Sequence, residues 1–512
     1  MKKKWLILLA SLGVILLASS VGVTKASLFD LEISSGNTFE AWTSILWRQT
    51  TQSDFEAGVL NNVDTSSSAG DVKLAIASSW YNASWAYRKK ITVDHTKVGA
   101  DLMDFPVLVS LASDADLAND AQDDGGDILF TKSDGTTKLD HEIEKFDGST
   151  GKLIAWVKVS SLSSSVNTEI YMYYGNATCG SQENIMGVWA SGWKTVCHMA
   201  ETSGNEKDSV TNSLDYVKTG TVASVAGKIG QARKSTSGDS NYLIKSEVGF
   251  PDFRPITVMA WVKFSSWLAE YGRVFSREPS GSGGLDWECG GSTSPPYALR
   301  WWVGDSFDSA TALTPLETWY FVATTYVNPT ATARIYINGV EDATGTMPDK
   351  TCSNPLYLFR SGKGTGRGMD GTIDEFRMYN GELSAGFIKT CYNNQNSPST
   401  FCLVGDEEGF YVSAGTIASR VLDTGVTGAR WDALFWSETV EDSTTDITFE
   451  VRASDTWFDK GDATPDWTDL GTTNSPITSG LPSGRYKQWR TTLTTSDTSK
   501  TPTLKEVRVY HY

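Results

Sequence analysis

Apolar and polar residues alternate in short runs along most of the chain, and clusters of Gly, Ser, Asn and Asp separate the runs. The run "ITVMAWVKF" places every second residue on one face of an extended segment, namely Ile256, Val258, Ala260, Val262 and Phe264. The run "ARIYINGVE" continues into Asn338-Gly339, a dipeptide typical of a tight β-hairpin turn. This cadence predicts β-sandwiches rather than βαβ units.

Helical periodicity is scarce, and the clearest case is the run "AGFIKTCYNN", which Ser384 can cap at its N-terminus. Changes in residue composition and in the alternation of apolar and polar residues predict five consecutive regions. They are a signal peptide (1–26), an irregular leader (27–83), a first β domain (84–187), a second β domain (188–408) and a third β domain (409–512).

The first residues have the pattern of an export signal. Lys2–Lys4 form a basic start, Trp5–Val23 is apolar, and "TKAS" offers small residues for cleavage after Ala26. An uncleaved anchor is the alternative, because the apolar run approaches the ~20 residues of a membrane helix. Ser and Gly within the run weaken that alternative, and no second apolar run follows. The sequence therefore predicts an extracellular or cell-surface protein with no membrane span in the mature chain.

Acidic residues outnumber basic ones, which gives a formal net charge of −17. A surface that binds nucleic acid needs clustered Lys and Arg to release counterions from the phosphates. Nucleic acid is therefore excluded as the expected partner.

Six cysteines lie between Cys179 and Cys402, and none has CxxC spacing with a histidine partner. A zinc site built on cysteine is therefore not expected, whereas disulfides are typical of exported chains. The sequence alone leaves their connectivity open. A sandwich whose two ends meet favours three nested pairs: Cys179 with Cys402, Cys197 with Cys391, and Cys289 with Cys352.

Three segments of the first β domain carry a family resemblance: "WAYRKKITVDHTKVGADLMDFPVLVSL", "DILFTKSDGTTKLDHEIEKFD" and "IAWVKVSSLSSSVNTEIYMYYGN". Together they resemble the microbial family called domain of unknown function 2341. Such domains commonly lie beside lectin-like modules in exported, multidomain surface proteins. The family brings no known chemistry, so the resemblance implies only architecture and location.

Five motifs of the second β domain occur in a fixed order: "GKIGQAR", "ITVMAWVKF", "LETWYFVATTY", "ARIYINGV" and "GTIDEFRMYNGELSA". In that order they resemble the laminin-G-like, concanavalin A-like family of lectins and glucanases. The predicted fold class is therefore all-β, with tandem β-sandwiches and a central concanavalin A-like (laminin-G-like) jelly roll. The third domain, with "IASRVLDTG" and "ITFEVRASD", resembles a jelly roll distantly like galactose-binding modules. The central fold hosts lectins, adhesion modules and glycanases, so it does not decide the function.

The stretch "MDGTIDEFRMY" places two adjacent carboxylates in a predicted strand. Strict alternation divides this strand into two faces, with Ile373, Glu375, Arg377 and Tyr379 opposed to Asp374, Phe376 and Met378. Glu375 and Arg377 are then expected to form a surface ion pair. Asp374, on the apolar side, needs a partner, which is either the backbone N–H groups of the turn "GRGMDG" or a bound cation.

The laminin-G-like resemblance implies a calcium ion at an edge of the sandwich, with Asp208 and Asp374 as candidate ligands. Calcium takes about six to eight oxygen ligands, so these two carboxylates would supply only some of the ligands of such a site. A second acidic string, "SDADLANDAQDDGGD", lacks the order of an EF-hand loop and is interpreted as a solvated loop or a weak divalent-cation site. Its carboxylates are Asp114, Asp116, Asp120, Asp123, Asp124 and Asp127.

Glycanases of the resembled fold place a nucleophile and an acid on one strand face, as E-x-D-x-E or E-x-D-x-x-E, with carboxyl groups ~5 Å apart for retention. The string "IDEF" has no second glutamate at that spacing, and the acidic strings "EIEKFD" and "DEEGFY" lie in other regions. The four histidines lack a Gly-x-Ser-x-Gly context; they are His95, His141, His198 and His511. No catalytic residue is therefore predicted, and a glycan hydrolase is kept only as an alternative.

Tryptophan is abundant, with 19 residues, and sugar sites use an exposed ring beside polar groups. The segment "LDWECGGSTSPPYALRWWVGDSFD" concentrates four candidate ligand-binding residues: Trp287, Tyr297, Trp301 and Trp302. Because Trp301 and Trp302 are adjacent on a predicted strand, they should point to opposite faces. Core packing is the alternative for any one of these rings.

These features predict a secreted or cell-surface binding or adhesion protein, without enzymatic activity, that recognises carbohydrate or another surface partner. The competing hypothesis is a structural component of an extracellular layer or fibre, in which the sandwiches are spacers. An exposed aromatic cleft on the central domain distinguishes the two hypotheses, because only binding requires one.

Overall fold

A computed structural model describes residues 44–512 except 190–191, 211–214, 237, 247–253, 269–270, 278–283, 329, 349–354, 363–365 and 472–474. The predicted signal peptide and its cleavage site therefore lie outside the described residues. The chain divides into two compact units. We call residues up to Trp80 together with Glu408–Tyr512 the terminal unit, and Tyr81–Glu407 the inserted unit.

The terminal unit begins with short strands and one helix: β1 (Ile45–Gln49), α1 (Gln52–Glu56), β2 (Val59–Asn61), β3 (Val63–Asp64) and β4 (Lys73–Leu74). Thr51 and Asp54 form a capping box at the start of α1, in which each side chain accepts the backbone N–H of the other residue. The described part of this region thus differs from the irregular leader that the sequence predicted. Its strands are too short for a clear alternation, and the partners of β1 and β2 lie in the last hundred residues of the chain.

The inserted unit begins with the first sandwich, whose strands are β5 (Tyr87–Val93), β6 (Leu102–Leu111), β7 (Leu129–Lys132), β8 (Lys138–Leu139), β9 (His141–Asp147), β10 (Lys152–Leu162) and β11 (Thr168–Tyr174). A 3₁₀ turn (His95–Lys97) and the helices α2 (Ala115–Asp120) and α3 (Ile185–Val188) accompany them. The strands β6, β10 and β9 form one sheet in that order, and β5, β11, β7 and β8 belong to the other.

The second sandwich follows, with strands β12 (Trp193–Cys197), β13 (Val217–Thr219), β14 (Ala223–Ala226), β15 (Gln231–Ser235), β16 (Tyr242–Lys245), β17 (Ile256–Phe264), β18 (Gly272–Ser276), β19 (Leu285–Cys289), β20 (Ala298–Val303), β21 (Asp305–Ala312), β22 (Trp319–Val327), β23 (Thr332–Ile337), β24 (Val340–Thr346), β25 (Leu356–Leu358) and β26 (Gly371–Tyr379). One sheet has the order β14-β15-β26-β17-β22-β23-β24, with β12 also paired to β26. The other sheet has the order β13-β16-β25-β18-β19-β20-β21.

The predicted turn and helix of the second sandwich are confirmed. Asn338 and Gly339 join β23 to β24 with φ angles of 50° and 77°, as a tight primed turn requires. The helix α4 (Ala385–Asn396) begins where Ser384 accepts the N–H of Phe387. It is followed by α5 (Pro398–Phe401) and by β27 (Cys402–Gly409), which returns to the first sandwich beside β5.

Two cores lie within the inserted unit. The alternating residues of β17, from Ile256 to Phe264, all pack inside the second sandwich, as predicted. The opposite face of β17 is also apolar, because Met259 and Trp261 belong to a core shared with the first sandwich and α4. The sheet that contains β17 is therefore buried on both faces, and it joins the two sandwiches.

The terminal unit closes with β28 (Ala414–Ala418), β29 (Leu422–Asp423), β30 (Trp431–Thr439), β31 (Thr445–Ser454), β32 (Thr468–Asp469), β33 (Tyr486–Thr495) and β34 (Thr503–His511). Its sheets run β1-β34-β30 and β2-β28-β33-β31-β32, so early and late strands pair with each other. The predicted all-β fold class with tandem sandwiches is confirmed.

The predicted disulfides are absent among the described cysteines, because Cys179, Cys197, Cys289, Cys391 and Cys402 are all free thiols. Cys197 faces the interior of the second sandwich, whereas Cys391 lies on α4 at the other side of the sheet. The predicted pairs Cys179 with Cys402 and Cys197 with Cys391 are therefore wrong. The remaining predicted partner, Cys352, lies outside the described residues.

Candidate functional site

One sheet of the second sandwich turns a polar and aromatic face away from the core. In β19, Leu285, Trp287 and Cys289 point into the core, so Asp286 and Glu288 lie on the opposite face. Strand pairing aligns further polar and aromatic residues beside them. We call this surface the outer face; it comprises Tyr242, Arg273, Asp286, Glu288, Arg300, Trp302, Asp308, Tyr357 and Arg360.

Three charged side chains form the floor of the outer face. Arg273 Nη1 lies 2.6 Å from Glu288 Oε1, and Arg273 Nε lies 3.5 Å from Asp286 Oδ1. The side chains of Arg273, Asp286 and Glu288 are only 5%, 1% and 4% exposed. The guanidinium is shared by the two carboxylates and offsets part of the cost of burying their charges. The floor is therefore a fixed charged platform.

Half-buried rings and arginines surround that floor. Arg360 lies over the rings of Tyr242 and Tyr357, at 4.5 and 5.1 Å from their centroids. Trp302 and Arg300 are half-buried on the neighbouring strand β20. Partly exposed rings beside charged hydrogen-bonding groups are the combination with which proteins hold sugars.

The other sheet of the second sandwich carries a β-bulge in β26. Glu375 has a left-handed φ of 53°, and the register with β17 shifts beside it. Ile373 and Phe376 both point into the core, so the bulge places Asp374 and Glu375 together on the opposite face. The strict alternation predicted for this strand is therefore wrong. Glu375 and Arg377 do share a face, but each is 1% exposed rather than at the surface.

Glu375 belongs to a buried group of charges between the two sandwiches, which we call the Glu–His–Arg cluster: Glu142, Glu144, His198, Glu375 and Arg377. His198 Nδ1 lies 2.9 Å from Glu375 Oε1 and 3.7 Å from Glu144 Oε2. The other ring nitrogen of His198, Nε2, lies 3.2 Å from Glu142 Oε2. Arg377 forms an ion pair with Glu375. The imidazole is thus held among three carboxylates.

Two tryptophans enclose the cluster. Trp156 Nε1 donates to Glu144 Oε2 at 3.0 Å, and Trp189 Nε1 donates to Glu142 Oε2. The Arg377 guanidinium lies 4.1 Å and 4.7 Å from the ring centroids of Trp156 and Trp189. These contacts are cation–π interactions in a desolvated site, where they are strongest.

The charges of the cluster shift one another's pKa. Burial raises the pKa of Glu144 to about 8, and the Glu375 carboxylate adds to the rise. Burial also opposes ionisation of Glu375, but His198 and Arg377 outweigh it and lower the pKa of Glu375. For His198, burial opposes the charge, whereas Glu375 and Glu142 raise its pKa well above the usual value. The carboxylates of Glu142 and Glu375 therefore favour the protonated form of the imidazole between them.

Two family matches follow the order of the motifs. Residues 124–210 match the family described as Domain of unknown function (DUF2341), and residues 236–389 match the Concanavalin A-like lectin/glucanases superfamily. The chain carries these two domains in this order. The resemblances predicted for the first and second β domains are thereby confirmed, and the second sandwich is the laminin-G-like domain.

Solved structures share a distant likeness with the chain. Domain 4 of AbnA, a GH43 extracellular arabinanase from Geobacillus stearothermophilus in complex with arabinotriose, is 21% identical, with a TM-score of 0.31 over 39% of this chain and 98% of that domain. The binding domain of Paraclostridial Mosquitocidal Protein 1 is 14% identical, with a TM-score of 0.34 over 47% of this chain and 60% of its own. A Trypanosoma rangeli sialidase is 13% identical, with a TM-score of 0.33 over 45% of this chain and 41% of its own.

No curated protein matches the sequence. In the part of the chain that the structure describes, no helix combines the length and the apolar character needed to cross a bilayer.

The structure separates the four aromatic candidates of the laminin-G-like domain. Trp302 lies on the outer face, whereas Trp287 and Trp301 are fully buried in the core. Trp287 lies in β19, not in a loop, and its Nε1 donates to a threonine hydroxyl at 2.9 Å. Tyr297 is half-buried in a loop and stacks on Trp267, with ring centroids 4.8 Å apart. Trp301 and Trp302 thus point to opposite faces, as adjacent residues of a strand must.

The two calcium candidates have other partners. Asp208 is 2% exposed, forms an ion pair with Lys245 and accepts from Thr195 Oγ1 at 2.6 Å. Asp374 accepts the N–H of Ile229 at 2.9 Å, so its anchor comes from the β14–β15 turn and not from "GRGMDG". Burial raises the pKa of Asp374 well above its usual value. Among the described residues, neither aspartate belongs to a group of three potential side-chain metal ligands, and calcium binding by this pair stays a prediction.

The acidic string before β7 is partly structural. Asp127 is fully buried and accepts the N–H groups of Gly175 and Asn176 at 2.7 and 2.9 Å. Asp114 caps α2 and lies 2.6 Å from Lys89 Nζ. The solvated-loop interpretation therefore fits the exposed members of the string and does not fit these two residues.

The sequence did not reveal the acidic residues of the outer face, nor those that the first sandwich contributes to the Glu–His–Arg cluster. Asp286 and Glu288 form a D-x-E pair on one strand face, and this spacing was visible in "LDWEC". Glu142 and Glu144 lie in "EIEKFD", which belongs to another predicted domain than "IDEF", so the sequence gives no sign that the two strings meet. Only the packing of one sandwich against the other brings these strings together.

Proposed function

We propose that the chain is an exported binding protein whose laminin-G-like domain recognises carbohydrate with its outer face. The observation that carries this proposal is the pair of half-buried rings, Trp302 and Tyr357, at either side of the charged floor. Aromatic rings pack against the apolar faces of sugars, and the half-buried Arg300 and Asp308 beside them can hydrogen-bond sugar hydroxyls. Export rests on the basic, apolar and small residues of the N-terminus.

Burial of the carboxylates favours binding over hydrolysis. A retaining glycosidase needs two carboxyl groups ~5 Å apart in a groove that receives the sugar. Asp286 and Glu288 share the Arg273 guanidinium and are closed to solvent. Glu144 and Glu375 lie close together, but they are only 2% and 1% exposed. A glycosidic bond has no access to either pair.

A glycan array with the full chain tests the proposal, run with calcium and again with a chelator. We expect saturable signals from the wild-type chain and at least a ~10-fold loss of affinity in Trp302→Ala and in Tyr357→Ala, because each removes a stacking ring. The chelator arm tests calcium dependence separately.

The matched control is Trp457→Ala, which removes a 56% exposed tryptophan of the terminal unit and should leave the array signals unchanged. A blank array with the folded wild-type chain would overturn the proposal and favour the structural component. Unchanged binding in both outer-face variants would move the binding site away from this face.

A further inference from the structure

The Glu–His–Arg cluster contains three potential metal ligands that carbohydrate binding does not use. Glu144 comes from β9, His198 follows β12, and Glu375 lies in the bulge of β26. One donor atom of each lies within 4.8 Å of the other two, a grouping found once among the described residues. The three side chains are 2%, 6% and 1% exposed, so the site is closed to bulk water.

The spacing of the donor atoms fits a small cation. His198 Nδ1 lies 2.9 Å from Glu375 Oε1 and 3.7 Å from Glu144 Oε2. Zinc bonds to nitrogen and carboxylate oxygen of about 2.0–2.1 Å at tetrahedral angles place neighbouring donors ~3.3 Å apart. The observed separations bracket that value, so small side-chain adjustments would suffice.

The surroundings of the three ligands have the arrangement that orients metal ligands in proteins. A metal-bound histidine usually gives its other ring N–H to a carboxylate. Here Nε2 of His198 lies 3.2 Å from Glu142 Oε2, and Glu142 in turn accepts from Ser209 Oγ at 2.6 Å. Trp156 holds Glu144 in the same way, by donating to its Oε2 at 3.0 Å.

A buried carboxylate oxygen of the cluster also lacks a hydrogen-bond partner in the described part of the chain. Glu144 Oε1 is buried and has no hydrogen-bond partner among the described residues. A buried carboxylate oxygen without a donor or a cation is costly. A cation bound to both carboxylate oxygens of Glu144 would remove that cost.

We propose that Glu144, His198 and Glu375 bind a divalent transition-metal ion, with Zn²⁺ as the ion that suits them. A mixed imidazole and carboxylate set favours zinc and its neighbours, whereas calcium and magnesium prefer oxygen ligands alone. With the imidazole neutral, a divalent ion and Arg377 together balance the charges of Glu142, Glu144 and Glu375. Because the ligands come from both sandwiches, the ion would clamp the first sandwich onto the laminin-G-like domain.

The test uses the full chain, stripped with a chelator and then titrated with Zn²⁺ by calorimetry, with bound metal counted by mass spectrometry. We expect about one Zn²⁺ per chain, as for a single closed site, and a rise in Tm that the chelator reverses. Glu144→Gln keeps the side-chain shape and should weaken Zn²⁺ binding at least ~10-fold. Glu142→Gln, which only orients His198, should weaken it ~10–100-fold.

The matched control is Glu407→Gln, whose carboxylate accepts from Tyr174 outside the cluster and which should bind Zn²⁺ like the wild type. No bound Zn²⁺ in the wild-type chain would overturn the proposal and leave the cluster as an ion network held by protons. Equal Zn²⁺ affinity in Glu144→Gln would also overturn it. If that variant does not fold, the stoichiometry and the Co²⁺ absorption spectrum of the wild-type chain still decide, because histidine and carboxylate ligation alters the cobalt spectrum.

Discussion

Two buried histidines of the inserted unit show how neighbours decide the charge of an enclosed imidazole. Burial lowers the pKa of His141 to about 4, and nearby Lys138 adds to the decrease while Asp140 opposes it weakly. Burial acts on His198 as well, but Glu375 and Glu142 raise its pKa instead. The same side chain therefore packs against Phe130 in one place and lies among carboxylates that favour its protonated form in the other.

His141 should make the inserted unit sensitive to acid. The unfolded chain binds a proton at this residue below about pH 6.5, whereas the folded chain resists protonation until about pH 4. Stability is therefore lost as pH falls through this window, by up to about 3 kcal/mol. In chemical unfolding at pH 7, 5.5 and 4, His141→Met should lose less stability on acidification than the wild type. Parallel losses in the two proteins would show that His141 does not contribute.

Asp208 should stabilise the laminin-G-like domain through Lys245 and not through calcium. Removal of one partner from a buried ion pair leaves an uncompensated charge, so Asp208→Ala should lower the free energy of unfolding by about 3–5 kcal/mol. The loss should be the same with calcium and with chelator. The control Glu169→Ala breaks an exposed pair with Lys90 and should cost about 0–1 kcal/mol. A loss for Asp208→Ala that appears only with calcium would restore the calcium hypothesis.

At the scale of elements, the sequence predicted correctly the features that a few neighbouring residues determine. The alternation of β17, the turn at Asn338-Gly339 and the cap at Ser384 are each encoded within a few residues. The bulge at Asp374 and Glu375 is not, because a bulge depends on the register of the partner strand. Since one extra residue reverses the faces, that single feature moved Asp374 to the face opposite the core, beside Glu375.

The β23–β24 hairpin is also a packing element. Gly339 has a positive φ, and a Cβ at this position would lie 2.9 Å from the Cβ of Tyr392 on α4. Gly339→Ala should therefore add a clash to backbone strain and destabilise the inserted unit by about 1–3 kcal/mol. Gly204→Ala is the control, because its φ is also positive but no atom lies within 4 Å of the added Cβ. Thermal unfolding of both variants checks this, and equal costs would exclude the contact with α4.

At the scale of the whole molecule, the two family matches share a core and are not separate modules. Met259, Trp261 and Phe321 of the laminin-G-like domain are each 1% exposed, and they pack in one cluster with Trp156 and Phe105 of the first sandwich. The family matches identified each module in the sequence but could not show this shared core, because it forms between residues far apart in the chain.

A fragment of residues 188–408 should therefore aggregate, because it exposes that apolar face to water. A fragment of residues 81–407 retains the shared core and should fold as a monomer. Light scattering after size-exclusion chromatography distinguishes the two results. A monomeric, cooperatively unfolding 188–408 fragment would show that the laminin-G-like domain does not need the first sandwich.

Because β1 pairs with β34, β1 can join its sheet only after β34 has been synthesised. Ile45–Gln49 align with Val507–His511, and the whole inserted unit lies between them in the chain. The inserted unit can fold as soon as its own residues are available, since domains fold as units from the N-terminus onward. The sheet of the terminal unit must wait for the last strand, and until then β1 remains an unpaired edge. A chain that stops short of β34 would thus leave that edge open to proteases and chaperones.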